Sequence, residues 1–213
     1  EQIYALVESR DLYLLSDEIY SQVLYEGAQH YSPAVFDQCR ERTIILNGFA
    51  KNYSMPGWRL GYAIGPVEVI RKMGILFQTM FSCVPAFVQA AGIEALKGDQ
   101  APVRERIWRY EVLRNHIVEK LNSIPGISCV VPEGACYVFP NISGTGMSSA
   151  EFADFALDQA GVALLPGTCF GEYGEGHVRM CFTRSVDTIE LACEKLKAAL
   201  TKKVRRYHEV SVG

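Results

Sequence analysis

"NGFAKNYSMPGWRLGY", residues 47–62, carries the reading of the fold. The apolar run "TIILNGF" (43–49) stops just before Lys51, and Arg59 follows eight residues later among Gly57, Trp58, Gly61 and Tyr62. An unbroken apolar run of this length reads as a buried strand. A lysine at the end of such a strand is costly unless it is exposed, paired or used covalently. In open α/β sheets, ligands gather at the carboxyl ends of the strands. A lysine there can form a Schiff base with a carbonyl compound; a plain surface lysine is the alternative. The Arg59 guanidinium can clamp a phosphate by two parallel hydrogen bonds, with Gly57 and Gly61 allowing close backbone approach. Its alternative is an ion pair with a nearby carboxylate.

Outward from this block the same grammar repeats. "LYLLSDEIY" (12–20) reads as a second buried strand whose end carries Ser16, Asp17, Glu18 and Tyr20. A pyridinium cofactor needs a carboxylate on its ring nitrogen to act as an electron sink, and Asp17 can supply one. The Tyr20 hydroxyl can bond the phenolic oxygen of such a ring. A strand-end turn with a surface Asp and a packed Tyr is the alternative. "WRLGYAIG" (58–65) reads as a third strand. Pro66 opens a helix running to about Phe77, and 85–97 forms another. Apolar strands interleaved with helices predict an α/β fold with a mainly parallel sheet covered on both faces.

"APVRERIWRYEVLRNHIVEKLNSIPG" (101–126) is the clearest helix. Val103, Ile107, Tyr110, Leu113, Ile117, Leu121 and Ile124 make one apolar stripe, and the helix is long enough to link two lobes. Beyond it, "ISCVV", "ACYVFP", "VALLPG" and "HVRMCFT" read as short strands. Helices are expected from Ser148, where Glu151 completes a capping box, and from near Asp187, with Glu190 placed likewise. That alternation predicts a small α+β lobe. Arg179, in "GHVRMCF", reads by itself as a strand arginine in an ion pair.

The composition sets bounds. The 213 residues are 49% hydrophobic with a net charge of −3, an ordinary globular balance with no global attraction to nucleic acid. "KKVRR" (202–206) reads as a solvated basic tail. The seven cysteines form no metal-binding spacing, and no metal is expected. They read as buried reduced thiols, which points to the cytoplasm. No apolar stretch is long enough to span a membrane.

Together "SDEIY", "GFAKNYSMPGWRLGYAIGP", "PEGACYVFPNI" and "VALLPGTCFGEYGEGHVRMCFT" resemble successive blocks of the aspartate aminotransferase-like class I/II aminotransferases, fold-type I pyridoxal-phosphate enzymes. The resemblance runs from Asp17 to about Leu200. It implies pyridoxal 5′-phosphate as cofactor, bound covalently through Lys51, which then moves the proton at the substrate Cα. It implies Asp17 on the pyridine nitrogen, Tyr20 on the phenolic oxygen, Arg59 on the phosphate and Arg179 on the substrate carboxylate. The implied substrates are an amino acid and a 2-oxo acid, and the implied assembly is a homodimer.

The sequence departs from the family in two ways. Gly48 and Ala50 stand where relatives often carry serine, removing a phosphate hydrogen bond. The resemblance also implies only the C-terminal part of the fold, with about half the family's chain absent and the fragment inactive alone. The expected organisation is residues 1–100 as the C-terminal portion of the cofactor-binding domain, 101–125 as a connecting helix and 126–213 as a small α+β domain. Transfer of an amino group is the expected reaction. A lyase, decarboxylase or synthase on the same cofactor, or a non-catalytic fragment, are the alternatives.

Overall fold

The structure is a computed structural model describing residues 1–211, with side chains described through Lys203. It divides into two compact units, Glu1–Arg106 and Ile107–Gly213, and the division falls inside the long helix read at 101–126.

The first unit opens with α1 (Gln2–Ser9), which buries Tyr4 and Val7. Tyr4 stacks on Phe36 with ring centroids 5.1 Å apart. Strand β1 (Leu14–Asp17) is followed by a long loop broken only by a 3-10 turn at Pro33–Val35. Strand β2 (Thr43–Gly48) runs directly into the single-turn helix α2 (Phe49–Asn52). A second 3-10 turn (Pro56–Trp58) leads to β3 (Gly61–Ile64), then α3 (Val67–Phe81) and α4 (Ala86–Lys97). The β-branched residues Thr43 and Ile44 are buried and start β2, as suits a central strand. β2 lies between the other two strands. It pairs in parallel with β1, setting Asp17 opposite Leu46, and antiparallel with β3, setting Gly48 opposite Gly61.

Two expectations change here. The sheet is not mainly parallel: one of its two strand pairings is antiparallel. Nor are both faces covered among the described residues, since Leu15 is 61% exposed and Ile64 49% exposed. Period-2 geometry sends alternate residues of β1 to opposite faces, and this strand alternates between half-buried and exposed positions. Apolar composition alone did not reveal that alternation.

The long helix α5 (Ala101–Asn122) crosses the division. Its expected stripe is buried at Ile117 and Leu121 and, just beyond the helix, at Ile124. The second unit adds β4 (Tyr137–Val138), α6 (Ser149–Ala160), β5 (Leu165–Pro166), β6 (Val178–Cys181) and α7 (Val186–Ser211). Its antiparallel sheet has the order β4-β6-β5. Leu121, Ile142, Phe152, Ala156, Phe182 and Leu196 form a core with almost no exposure.

The capping box is present: Ser148 Oγ accepts from the Glu151 amide, and the Glu151 carboxylate accepts from the Ser148 amide at 2.9 Å. The last helix starts near Asp187 as read, at Val186, but its cap differs: Ser185 takes the capping place, its Oγ accepting from the Thr188 amide at 3.3 Å, so Asp187 lies within the helix. "ISCVV" is not a strand but a single bridge, Ser128 to Asn141, and Val130 is exposed. The backbone of 202–206 continues α7; in the expected solvated tail, the side chains from 204 onward lie outside the described residues.

Candidate functional site

Lys51 sits in α2, immediately after β2. Asp17 is the last residue of the parallel neighbour β1. Both therefore lie at carboxyl ends of adjacent parallel strands, the side where α/β sheets bind ligands. The loop leaving β1 brings Tyr20 back over the lysine, with Lys51 Nζ 5.8 Å from the ring centroid. Among the described residues, no hydrogen bond or ion pair engages the half-buried Lys51 amine. Asp17 Oδ1 accepts one bond, from the Ile19 amide at 3.2 Å, which leaves acceptor capacity on the carboxylate.

An amide network backs this site. Asn47 Oδ1 accepts from the Gly48 amide at 2.7 Å and from Asn52 Nδ2 at 3.3 Å. Asn47 Nδ2 donates to Ser21 Oγ at 3.2 Å, and Asn52 Oδ1 accepts from the Gln22 amide at 3.4 Å. The strand end carrying Lys51 is thereby tied to the loop carrying Tyr20. At Gly48 an added Cβ would meet Leu60 O at 3.0 Å and Ile19 Cδ1 at 3.2 Å. Close packing thus accounts for glycine where the resemblance leads one to expect serine.

Arg59 follows the Pro56–Trp58 turn in the left-handed region, with φ 52°. A non-glycine residue held there stores strain and is a recurrent mark of functional segments. Its Nη1 donates to Pro56 O at 2.9 Å, and no carboxylate pairs with it among the described residues. The expected close approach at Gly57 is absent, as an added Cβ there meets nothing within 4 Å; at Gly61 it meets Asn47 O at 3.2 Å.

Arg179 belongs to the second unit, on β6 opposite Leu165 of β5. Its Cζ lies 4.5 Å from the Tyr137 ring centroid and 4.2 Å from that of Phe170. Among the described residues its guanidinium makes no hydrogen bond or ion pair, so the structural ion pair read from its strand is not formed. Phe170 ends the 3-10 turn Gly167–Phe170. That turn depends on two glycines whose backbones touch: a Cβ on Gly167 would run into the Gly174 carbonyl oxygen.

Asn52, which is buried, escaped the sequence reading, and Glu18, also buried, was named there only as a strand-end residue. For Asn52, its place next to Lys51 was a signal. For Glu18, Ser16 is two residues away, but its other partners His30 and Ser32 lie across a long loop.

The first unit therefore presents an unpaired amine, a strand-end carboxylate, a phenol and a strained arginine on two adjoining segments. The donor set fits pyridoxal phosphate: an amine for its aldehyde, an anion for its ring nitrogen and a cation for its phosphate. The chain belongs to the aminotransferase class I and II family, whose model matches residues 1–196. That family depends on pyridoxal phosphate.

The chain is 42% identical over 197 residues to an aspartate aminotransferase of Pyrococcus horikoshii, covering 92% of this chain and 50% of that protein. It is 38% identical over 205 residues to aromatic-amino-acid aminotransferase 2 of Thermococcus litoralis, covering 95% of this chain and 52% of that one. Among solved structures, an aromatic aminotransferase from Pyrococcus horikoshii superimposes with a TM-score of 0.90 at 37% identity, covering 95% of this chain and 54% of that one. The chain thus spans about half the length of the curated relatives it matches. The family match falls on the first 196 residues of this chain. The expectation that these residues are the C-terminal part of the family's fold is not carried by this coverage and is set aside.

Proposed function

We propose that this chain, within its whole protein, transfers an amino group between an amino acid and a 2-oxo acid. The observation that carries the reading is the free Lys51 amine at the end of β2, over the Tyr20 ring and beside the end of β1. Lys51 would hold the cofactor at its aldehyde, and its amine would carry the proton to and from the substrate Cα. Asp17 would keep the ring nitrogen protonated, Tyr20 would hold the phenolic oxygen and Arg59 the phosphate. Pyridoxal phosphate, when bound, supplies the electron sink that acidifies the substrate Cα–H. Arg179 takes the substrate carboxylate through its N–H groups.

The proposed organisation is a cofactor-binding part over 1–100, a connecting helix over 101–125 and a small domain over 126–213. The proposed setting is a cytoplasmic homodimer. Family resemblance supports the assembly, and seven free cysteines support a reducing compartment. Among the described residues no helix is long and apolar enough to cross a membrane.

Borohydride reduction in the presence of pyridoxal 5′-phosphate, followed by peptide mapping, tests the reading. The phosphopyridoxyl group is expected on Lys51. Its appearance on another lysine, or on none, overturns the assignment.

A further inference from the structure

Glu18 is only 7% exposed, and the reaction proposed above gives it no part. Burying a carboxylate is expensive unless several donors replace its water. Here three do. Ser32 Oγ donates to Oε1 at 2.6 Å and Ser16 Oγ donates to the same oxygen at 3.2 Å. His30 Nε2 lies 2.9 Å from Oε2.

The placement of these donors matters more than their number. Ser16 is in β1, while Ser32 lies 14 positions beyond Glu18 and caps the Pro33–Val35 turn through the Ala34 amide at 3.2 Å. One side chain therefore fastens the two ends of the loop between β1 and that turn. The Glu18 amide also donates to Leu46 O at 2.8 Å, and its carbonyl accepts from the Ser21 amide at 3.0 Å. The loop so closed carries Tyr20, whose ring faces Lys51. The staple closes the loop from its far end and adds to the Asn47–Ser21 and Asn52–Gln22 ties beside Tyr20, lowering the entropic cost of ordering the tyrosine.

We propose that Glu18 is a positioning residue of the candidate site: its buried carboxylate, gripped by Ser16, His30 and Ser32, holds the loop that presents Tyr20 to Lys51. The inference rests on Lys51 being the cofactor lysine. A structural carboxylate would only stabilise the unit; a positioning one also sets cofactor affinity through Tyr20.

The test titrates pyridoxal 5′-phosphate into the whole protein and three variants, Glu18→Gln, Tyr20→Phe and the double variant, with Ser32→Ala as a milder probe of the same staple. Absorbance gives the Kd and a thermal melt gives the stability of each. Glu18→Gln is expected to weaken cofactor binding about tenfold, and Ser32→Ala by less, because the first removes the charge from all three contacts while the second removes one of them. In the Tyr20→Phe background the Glu18→Gln effect should largely vanish, as coupled residues are non-additive. Unchanged affinity in both Glu18→Gln and Ser32→Ala overturns the inference, as does full additivity with Tyr20→Phe. If the unaltered chain is labelled elsewhere than Lys51, the cofactor reading fails first and this one with it. Labelling at Lys51 with no Glu18 effect sinks this inference alone.

Discussion

The Arg179 guanidinium rests on the Phe170 ring, with Cζ 4.2 Å from the centroid. The Tyr137 ring is also close, 4.5 Å from the same carbon. Rings against a cation strip water from its faces and fix its plane. The N–H groups, engaged by nothing among the described residues, remain for a carboxylate. In the whole protein Arg179→Lys should therefore weaken amino-acid and 2-oxo-acid binding at least about tenfold, since lysine keeps the charge but loses the planar fork. Phe170→Ala should cost about 1 kcal/mol in the same measurement. Unchanged binding in both variants would remove Arg179 from the site.

Asp17→Asn should leave Lys51 able to take up pyridoxal phosphate but slow proton exchange at the substrate Cα. A neutral amide cannot hold the ring nitrogen protonated as an ionised carboxylate does. Loss of deuterium from a Cα-deuterated amino acid, followed by NMR, measures this. Equal exchange rates would mean that Asp17 does not face the ring.

Local signals in the sequence led to correct local structure where the physics was local. Ser148 and Glu151 are close in sequence, and their capping box formed as read. The apolar run 43–49 became β2 with Lys51 just past its end. The reading failed where partners are distant. Arg114 lies on the long helix and is fully buried, its Nη1 donating to Pro132 O at 3.0 Å across a turn no helical periodicity describes. The left-handed backbone of Arg59 had no marker, since that conformation is ordinarily read from glycine. Strand lengths were overestimated in the second unit, where β4 and β5 are two-residue strands held by neighbours rather than by their own apolar runs.

Asp37 offers a test of what anchors β2. It is buried, its Oδ2 accepting from the Arg42 amide at 3.0 Å and the Thr43 amide at 2.9 Å, and its Oδ1 from the Cys39 amide at 3.0 Å. Burial works to raise its pKa, but these backbone donors outweigh it and hold the carboxyl below its ordinary value of 3.8. A depressed carboxyl contributes stability that is full above the unfolded pKa and is lost as pH falls through the folded one. Asp37→Ala should therefore cost the first unit about 3 kcal/mol at neutral pH. The gap between the two proteins should narrow as pH drops below about 4, by the part that the ionised carboxylate contributes. Hydrogen exchange across 37–48 reads this directly; a gap that does not narrow in acid would contradict it.

The seven cysteines are not uniformly the buried thiols the sequence suggested: Cys83, Cys169 and Cys181 are exposed. Burial pushes Cys129 and Cys193 up to about 11, making them inert. Cys181 goes the other way, to about 5. A hydrogen bond from the Cys136 thiol is the main cause, with the Thr183 hydroxyl 3.1 Å away and the charge of Arg184 adding to it. The thiolate is the nucleophile, so at about pH 6 Cys181 should be largely ionised and should react with iodoacetamide ahead of the buried thiols. Its alkylation rate should titrate with a midpoint near 5. Cys136→Ala removes the main donor and should move that midpoint upward, which a pH series with peptide mapping would show. If the midpoint stays put in that variant, the Cys136 thiol is not what holds the charge, and if Cys129 or Cys193 is modified first, the placement of Cys181 at the surface is itself wrong.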